Sequence, residues 1–140
     1  MTTDKATAKW LGKMAFQGEI DGHRITIDAM PQAGGEDQGA RPKPLMLLAL
    51  AGCTGMDVVS IAGKMRIEIE NLNITVSGQV TEDYPKRYHS MHVVYEISGK
   101  NLPEEKLRKI VEMSEQKYCG VSAVYNKSVK LTSEIKLLET

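Results

Sequence analysis

The stretch that decides the fold is "LMLLALAGCTGMDVVSIAGKMR", residues 45–66, the most apolar helix-length run in the chain. It has Cys53 near its centre, and Pro44 directly before it suits the first turn of a helix. Lys64 and Arg66 place cations at the negative end of the helix dipole, which predicts that the helix ends there. Apolar residues occupy nearly every side of this helix. We therefore expect it either to lie at the centre of the fold or to pack against a second subunit.

The residues before this helix have the two-residue periodicity of strands. Residues 8–16, "AKWLGKMAF", alternate between apolar and polar side chains, which predicts a half-buried strand. Asp21 and Gly22 tolerate the positive φ angles of a tight hairpin turn, and "HRITIDA", residues 23–29, alternates again. We therefore expect an opening β-hairpin. Residues 30–44 are rich in glycine and proline and are predicted to form a long mobile loop.

The residues after the helix predict a second antiparallel pair of strands. The apolar residues alternate at odd positions in Ile67 and Ile69 but at even positions in Leu72 and Ile74. A bulge or bend near residues 70–71 would explain this shift in the alternation. "RYHSMHVVYEIS", residues 87–98, is predicted to be the partner strand.

The C-terminal third predicts a helix followed by a final strand. Residues 101–118, "NLPEEKLRKIVEMSEQKY", have Pro103 and two glutamates at the start of an amphipathic pattern. Its apolar stripe consists of Leu107, Ile110, Val111, Ser114 and Tyr118. "CGVSAVY", residues 119–125, is predicted to add a further helical turn, and residues 128–138 alternate as a strand. With no repeat and no linker, we expect one domain over residues 1–140 with an α+β fold.

Composition excludes several classes of protein. The 18 basic residues equal the 18 acidic ones, so no cluster of positive charge points to nucleic acid or to a membrane surface as a partner. The polar N-terminus does not resemble a secretion signal. Polar and glycine residues interrupt the apolar run of residues 45–66 before it reaches the length of a membrane span. We therefore expect a cytoplasmic protein with no membrane partner.

The two cysteines, Cys53 and Cys119, are the candidate reactive groups. The absence of a CxxC motif and of nearby histidines makes a zinc site, which needs about four ligands, unexpected. A reducing cytosol disfavours a permanent disulfide, so the pair is either two inert core thiols or a redox couple. Apolar neighbours and Asp57 one turn away would raise the pKa of Cys53, so a reactive Cys53 needs a cation from elsewhere in the fold. Free N–H groups at the start of a short helix would favour a thiolate at Cys119.

Two motifs in order resemble a known family. "LMLLALAGCTGMDVV" is followed, 66 residues after its cysteine, by the cysteine of "KYCGVSA". This arrangement is similar to that of the OsmC/Ohr family of osmotically inducible and organic hydroperoxide resistance proteins, and the "GCTGMDVVSI" continuation resembles its less characterised OsmC-like branch. The resemblance extends over nearly the whole chain.

The resemblance implies a fold and an activity. The fold is α+β, with antiparallel sheets around a buried central helix in an intertwined homodimer. The activity is thiol-dependent reduction of organic hydroperoxides in oxidative or osmotic stress defence, with Cys53 attacking the peroxide and Cys119 resolving the sulfenic acid as a disulfide. The family pattern implies no bound cofactor but an external dithiol reductant, and Leu50 and Met56 would form the walls of an apolar substrate pocket.

The sequence departs from the peroxidase pattern at two positions. Lys43 stands where the peroxidases carry a glutamate, and Ile20 appears at the position of their arginine. Arg24 and Lys43 are therefore the predicted thiolate-stabilising cations. The alternative is a non-catalytic small-molecule-binding or stress-related protein on the same fold.

Overall fold

Three strands form the first unit, Met1–Met46, of the computed structural model, which describes residues 1–140. They are β1 (Ala6–Gly12), β2 (Ala15–Ile20) and β3 (His23–Ile27), paired antiparallel in that order. The predicted turn at Asp21 and Gly22 is confirmed, with φ angles of 52° and 79°. The prediction of a single strand over residues 8–16 is wrong. The chain reverses at Gly12 and Lys13, whose φ angles of 106° and 50° form a second tight turn that apolar alternation alone does not reveal.

The loop after β3 is organised by a buried carboxylate. Asp28 accepts backbone N–H hydrogen bonds from Ala29 at 2.7 Å, Gln38 at 3.1 Å and Glu36 at 3.2 Å. These bonds hold the pKa of Asp28 below its usual range, and the bond from Gln38 has the largest effect. The sequence predicted a long mobile loop here, whereas the structure gives the loop a defined path around Asp28.

The second unit, Leu47–Thr140, contains a mixed sheet and the central helix. Helix α1 is Leu45–Lys64, with the predicted start and end confirmed to within two residues. The sheet order is β4-β5-β6, in which β4 and β5 are antiparallel but β5 and β6 are parallel. A parallel pair needs a crossover connection, and here the crossover is helical. The remaining elements are β4 (Asn71–Val80), β5 (Tyr88–Gly99), α2 (Glu104–Met113), a π-helical turn (Ser114–Tyr118), α3 (Gly120–Tyr125) and β6 (Lys130–Glu139).

Helix α1 buries one face only. Its buried residues follow a four-residue spacing along that face: Leu50, Thr54, Val58 and Ala62. The three apolar ones belong to the same core as Tyr95 and Met91 of β5, and Leu107 of α2. The other face is open, since Leu48, Met56 and Val59 are 66%, 75% and 57% exposed. The predicted α+β class is confirmed, but a single chain does not surround the apolar helix.

The length and hydropathy of α1 would also suit a membrane-spanning segment. Its apolar window has a mean hydropathy of 1.9, and 22% of that window is buried. The core helix of a soluble protein has the same composition, so these two properties do not distinguish the two environments.

Two local predictions in this unit are wrong. No bulge occurs at residues 70–71; β4 begins at Asn71, so the phase change marks the start of the strand, and the register shift lies at Gln79 and Val80. Tyr118 does not continue the buried stripe and is 51% exposed. It lies in the π-helical turn, where side chains no longer follow the spacing of an α-helix.

Candidate active site

Helix α1 and the helical crossover bring both cysteines of the chain together. The sulfur atoms of Cys53 and Cys119 and a carboxylate oxygen of Asp57 all lie within 4.8 Å of one another. Cys53 is partly exposed, whereas Cys119 is 3% exposed. Two thiols distant in sequence therefore form one dithiol site, with the more accessible sulfur on α1.

The π-helical turn determines where Cys119 lies. Ser114 is fully buried at the end of α2, and its carbonyl oxygen accepts the backbone N–H of Cys119 at 2.7 Å, across five residues. Cys119 then caps the start of α3, where its sulfur accepts the backbone N–H of Ser122 at 3.3 Å. The prediction of a short helix directly after Cys119 is thus confirmed. π-Helical turns occur frequently at functional sites.

Glu115 ties this turn to the sheet. Its carboxylate accepts a hydrogen bond from the hydroxyl of the buried Tyr95 at 2.8 Å and another from Ser133 at 3.1 Å. Burial, together with the negative charge of Glu115, raises the pKa of Tyr95 well above its usual range. Tyr95 therefore remains a protonated donor, and the turn that carries Cys119 is fixed to both β5 and β6.

Asp57 links helix α1 to the end of α2 at the site. It lies one helical turn after Cys53, and its Oδ2 accepts a hydrogen bond from the Ser114 hydroxyl at 2.9 Å. The carboxylate is thus oriented by the end of α2 while it lies beside both sulfurs.

The surroundings of Cys53 favour the protonated thiol. Burial is the largest cause of its raised pKa, followed by a hydrogen bond with Cys119 and by the negative charges of Cys119 and Asp57. A backbone N–H of Val121 directed at the Cys53 sulfur acts in the opposite direction. No cation is among the groups that shift this pKa.

We expect Asp57→Asn to lower the pKa of Cys53. The amide keeps an oxygen that can accept the Ser114 hydrogen bond, but it removes a negative charge that opposes ionisation. Since only the thiolate is alkylated, the iodoacetamide labelling curve of Cys53 should move to lower pH, as followed by mass spectrometry of its peptide. Asp83→Asn, in an exposed turn, is the matched control and should leave the curve in place. If the midpoint of the labelling curve is unchanged or higher in Asp57→Asn, the charge of Asp57 does not raise the pKa of Cys53.

The other predicted site residues occupy different surroundings. Arg24 is an exposed residue of β3, with its Nε 3.9 Å from Glu19, and Lys43 lies in the turn that precedes α1. Leu50 is 1% exposed within the core, whereas Met56 is largely exposed. The roles of Arg24 and Lys43 as cations and of Leu50 and Met56 as pocket walls stay predictions.

An apolar groove runs beside the cysteine along the open face of α1. Its volume is about 580 Å³, and it is bounded by α1 and β4. Met56 lines it, as does Gly52, the residue before Cys53. The other lining residues are Leu48, Ala51, Gly55, Val59, Ser60, Leu72 and Ile74.

Sequence reasoning missed the groups that act on the two sulfurs through hydrogen bonds. The backbone donors at residues 121 and 122 carry no side-chain signal, since any residue other than proline supplies an N–H. The link between Ser114 and Asp57 joins residues 57 positions apart. The placement of Ser114 on the buried stripe of the predicted helix was the one indication that its hydroxyl needs a partner inside the fold.

Known proteins resemble this chain in both sequence and fold. The model of the family described as OsmC-like protein matches residues 35–134. Protein YhfA of Escherichia coli K12 is 27% identical over 135 residues, which cover 96% of this chain and 98% of YhfA. A crystal structure of a hypothetical protein from Aquifex aeolicus VF5 has 27% identity and a TM-score of 0.83, with 99% of each chain covered. The organic hydroperoxide resistance protein OhrB of Bacillus subtilis has 25% identity and a TM-score of 0.65, with 96% of this chain and 98% of that chain covered.

Proposed function

The chain belongs to the OsmC-like protein family, and on that premise we propose that it is a thiol-dependent peroxidase that reduces organic hydroperoxides in oxidative or osmotic stress defence. The observation that carries the proposal is the dithiol site, in which the sulfurs of Cys53 and Cys119 lie within 4.8 Å. The similarity to a hydroperoxide resistance protein, OhrB, supports the choice of substrate class.

The proposed reaction uses each sulfur once. Cys53, the more accessible sulfur, attacks the O–O bond as a thiolate; it becomes a sulfenic acid, and the leaving alkoxide takes up a proton to give the alcohol. The Cys119 sulfur then attacks the sulfenic sulfur, which forms the disulfide and releases water. An external dithiol returns both cysteines to thiols, so the chain needs no bound cofactor. The cytoplasm is the compartment that would supply such a reductant.

The surroundings of Cys53 would supply both a positive charge and an apolar pocket. Arg24 or Lys43 would supply the positive charge that keeps Cys53 ionised against the burial that raises its pKa. The apolar groove lined by Met56 and Gly52 would hold the hydrocarbon part of the hydroperoxide. Leu50 would support the groove from the core side of α1.

We also propose that the protein is an intertwined homodimer. Leu48, Met56 and Val59 are exposed on the open face of α1, where they line the groove. A contiguous apolar surface of this kind marks an interaction site, and a two-fold dimer uses the same patch on both copies. The second copy would cover the groove and turn it into an enclosed substrate pocket.

The direct test of the peroxidase is a count of thiols. Reduced protein treated with one equivalent of cumene hydroperoxide should lose two thiols per molecule of cumyl alcohol formed, with a Cys53–Cys119 disulfide identified by peptide mapping. The Cys119→Ser variant is the matched control and should lose one thiol per alcohol. Formation of no alcohol, or a disulfide only between chains, would contradict the mechanism.

A second candidate is the non-catalytic binding of an apolar small molecule in the same groove. The raised pKa of Cys53, which burial causes foremost, favours this candidate because it disfavours the reactive thiolate. In that case both thiols would survive an excess of cumene hydroperoxide unchanged, and the hydroperoxide or its alcohol would bind without reaction.

A further inference from the structure

We propose that the reduced dithiol site binds a thiophilic divalent cation such as Zn²⁺, with Cys53, Cys119 and Asp57 as its three protein ligands. Two sulfurs and one carboxylate oxygen already lie within 4.8 Å of one another. Zinc bonds of about 2.3 Å to sulfur and about 2.0 Å to oxygen place tetrahedral ligands about 3.5–3.8 Å apart. The ligand atoms therefore need to approach one another by no more than about 1.3 Å.

The groups around the three ligands suit a metal–thiolate site. Each sulfur has a backbone N–H directed at it, from Val121 to Cys53 and from Ser122 to Cys119. Hydrogen bonds to the sulfurs orient ligands and tune metal–thiolate centres. The hydroxyl of Ser114 binds Oδ2 of Asp57, which leaves the other oxygen available to a metal. Every proposed ligand is thus held by a second contact.

The exposure of the site and the number of its ligands also suit a bound zinc ion. Cys53 and Asp57 are partly exposed, which gives an ion a route to the site, while Cys119 is buried beneath them. Three protein ligands and one water complete a tetrahedral zinc site, so four cysteine or histidine ligands are not required here.

Zinc in this site would compete with the redox reaction rather than assist it. Coordination occupies both sulfurs, and a disulfide removes both ligands, so binding needs only the reduced pair and does not depend on the peroxidase activity. A bound ion would therefore protect the thiols from oxidation, and oxidation would release the ion.

The test is a titration of the reduced protein with Zn²⁺ alone, in competition with a chromophoric chelator and without peroxide. We expect one ion per chain for the wild type and no measurable binding to the disulfide form. Cys53→Ser should weaken binding by at least about a hundredfold, and Ser114→Ala, which removes only the support of Asp57, by about tenfold. Asp57→Asn should weaken binding, and Asp83→Asn should not.

A second measurement keeps the test independent of the variants. Cd²⁺ added to the reduced wild type should produce the ultraviolet charge-transfer band of a cadmium–thiolate complex, with the intensity of two sulfurs. Absence of this band, or zinc binding that survives Cys53→Ser at full strength, would overturn the proposal. Because no hydroperoxide is present, failure here leaves the peroxidase mechanism untouched, and failure of the peroxidase leaves this result standing.

Discussion

Replacing Cys53 with serine is expected to lower the steady-state rate of organic hydroperoxide reduction by at least about a hundredfold, to the uncatalysed background. A serine hydroxyl is close in size to a thiol, but it has neither the acidity nor the nucleophilicity that attack on a peroxide requires. Consumption of cumene hydroperoxide with excess dithiothreitol measures this rate. The buried face of α1 should be undisturbed, because Cys53 lies beside that face and not on it.

Cys119→Ser is the control that separates the two sulfur roles. It should still reduce one equivalent of hydroperoxide in a single turnover, after which Cys53 remains a sulfenic acid that dimedone can label. Equal rates for wild type and Cys53→Ser would refute the peroxidase mechanism. Loss of the first turnover in Cys119→Ser would instead assign the attacking role to Cys119.

Introducing a charge at Met56 is expected to break the proposed dimer. Met56 is 75% exposed at the middle of the open face of α1, and a second copy on this face would bury it. A glutamate buried there without a partner loses its hydration, so Met56→Glu should raise the dimer dissociation constant by at least about a hundredfold, equivalent to about 2.7 kcal/mol. Sedimentation velocity over a range of protein concentrations measures the change.

Met113→Glu is the matched substitution on another surface. Met113 ends α2 and is 38% exposed, so a glutamate there should leave the dissociation constant within about twofold of the wild type. A monomeric wild type would refute the dimer, and so would a Met56→Glu variant that dimerises as strongly as the wild type. Far-ultraviolet circular dichroism of both variants would confirm that the helices are intact.

The parts of the fold that the sequence predicted correctly are those with a local cause. The start of α1 follows from Pro44, the second hairpin turn from Asp21 and Gly22, and the short helix after Cys119 from its small residues. Each depends on the conformational preferences of a few neighbouring residues, which a single sequence expresses directly.

The parts that could not be predicted depend on contacts between distant residues. The chain reversal at Gly12 and Lys13 lies inside an alternating pattern that is the same for one strand or two. The predicted antiparallel pairing fails only for β5 and β6, because the helical crossover returns the chain to the end of the sheet where β5 began. The same is true of the site. The family resemblance paired the two cysteines, but the Ser114 bond to Asp57 joins residues 57 positions apart and depends on how the end of α2 packs beside α1.

The π-helical turn makes the meeting of the two sulfurs depend on chain length as well as on residue type. Each residue of an α-helix advances the chain by about 100° of rotation and about 1.5 Å of rise. Between Ser114 and Cys119 the chain contains one residue more than an α-helical turn would hold. Deleting a single residue there would therefore turn Cys119 by roughly a quarter of a revolution or more. A homologue that lacks this one residue could thus retain both cysteines and still lose the dithiol pair, because the second cysteine would point in a different direction around the helix axis.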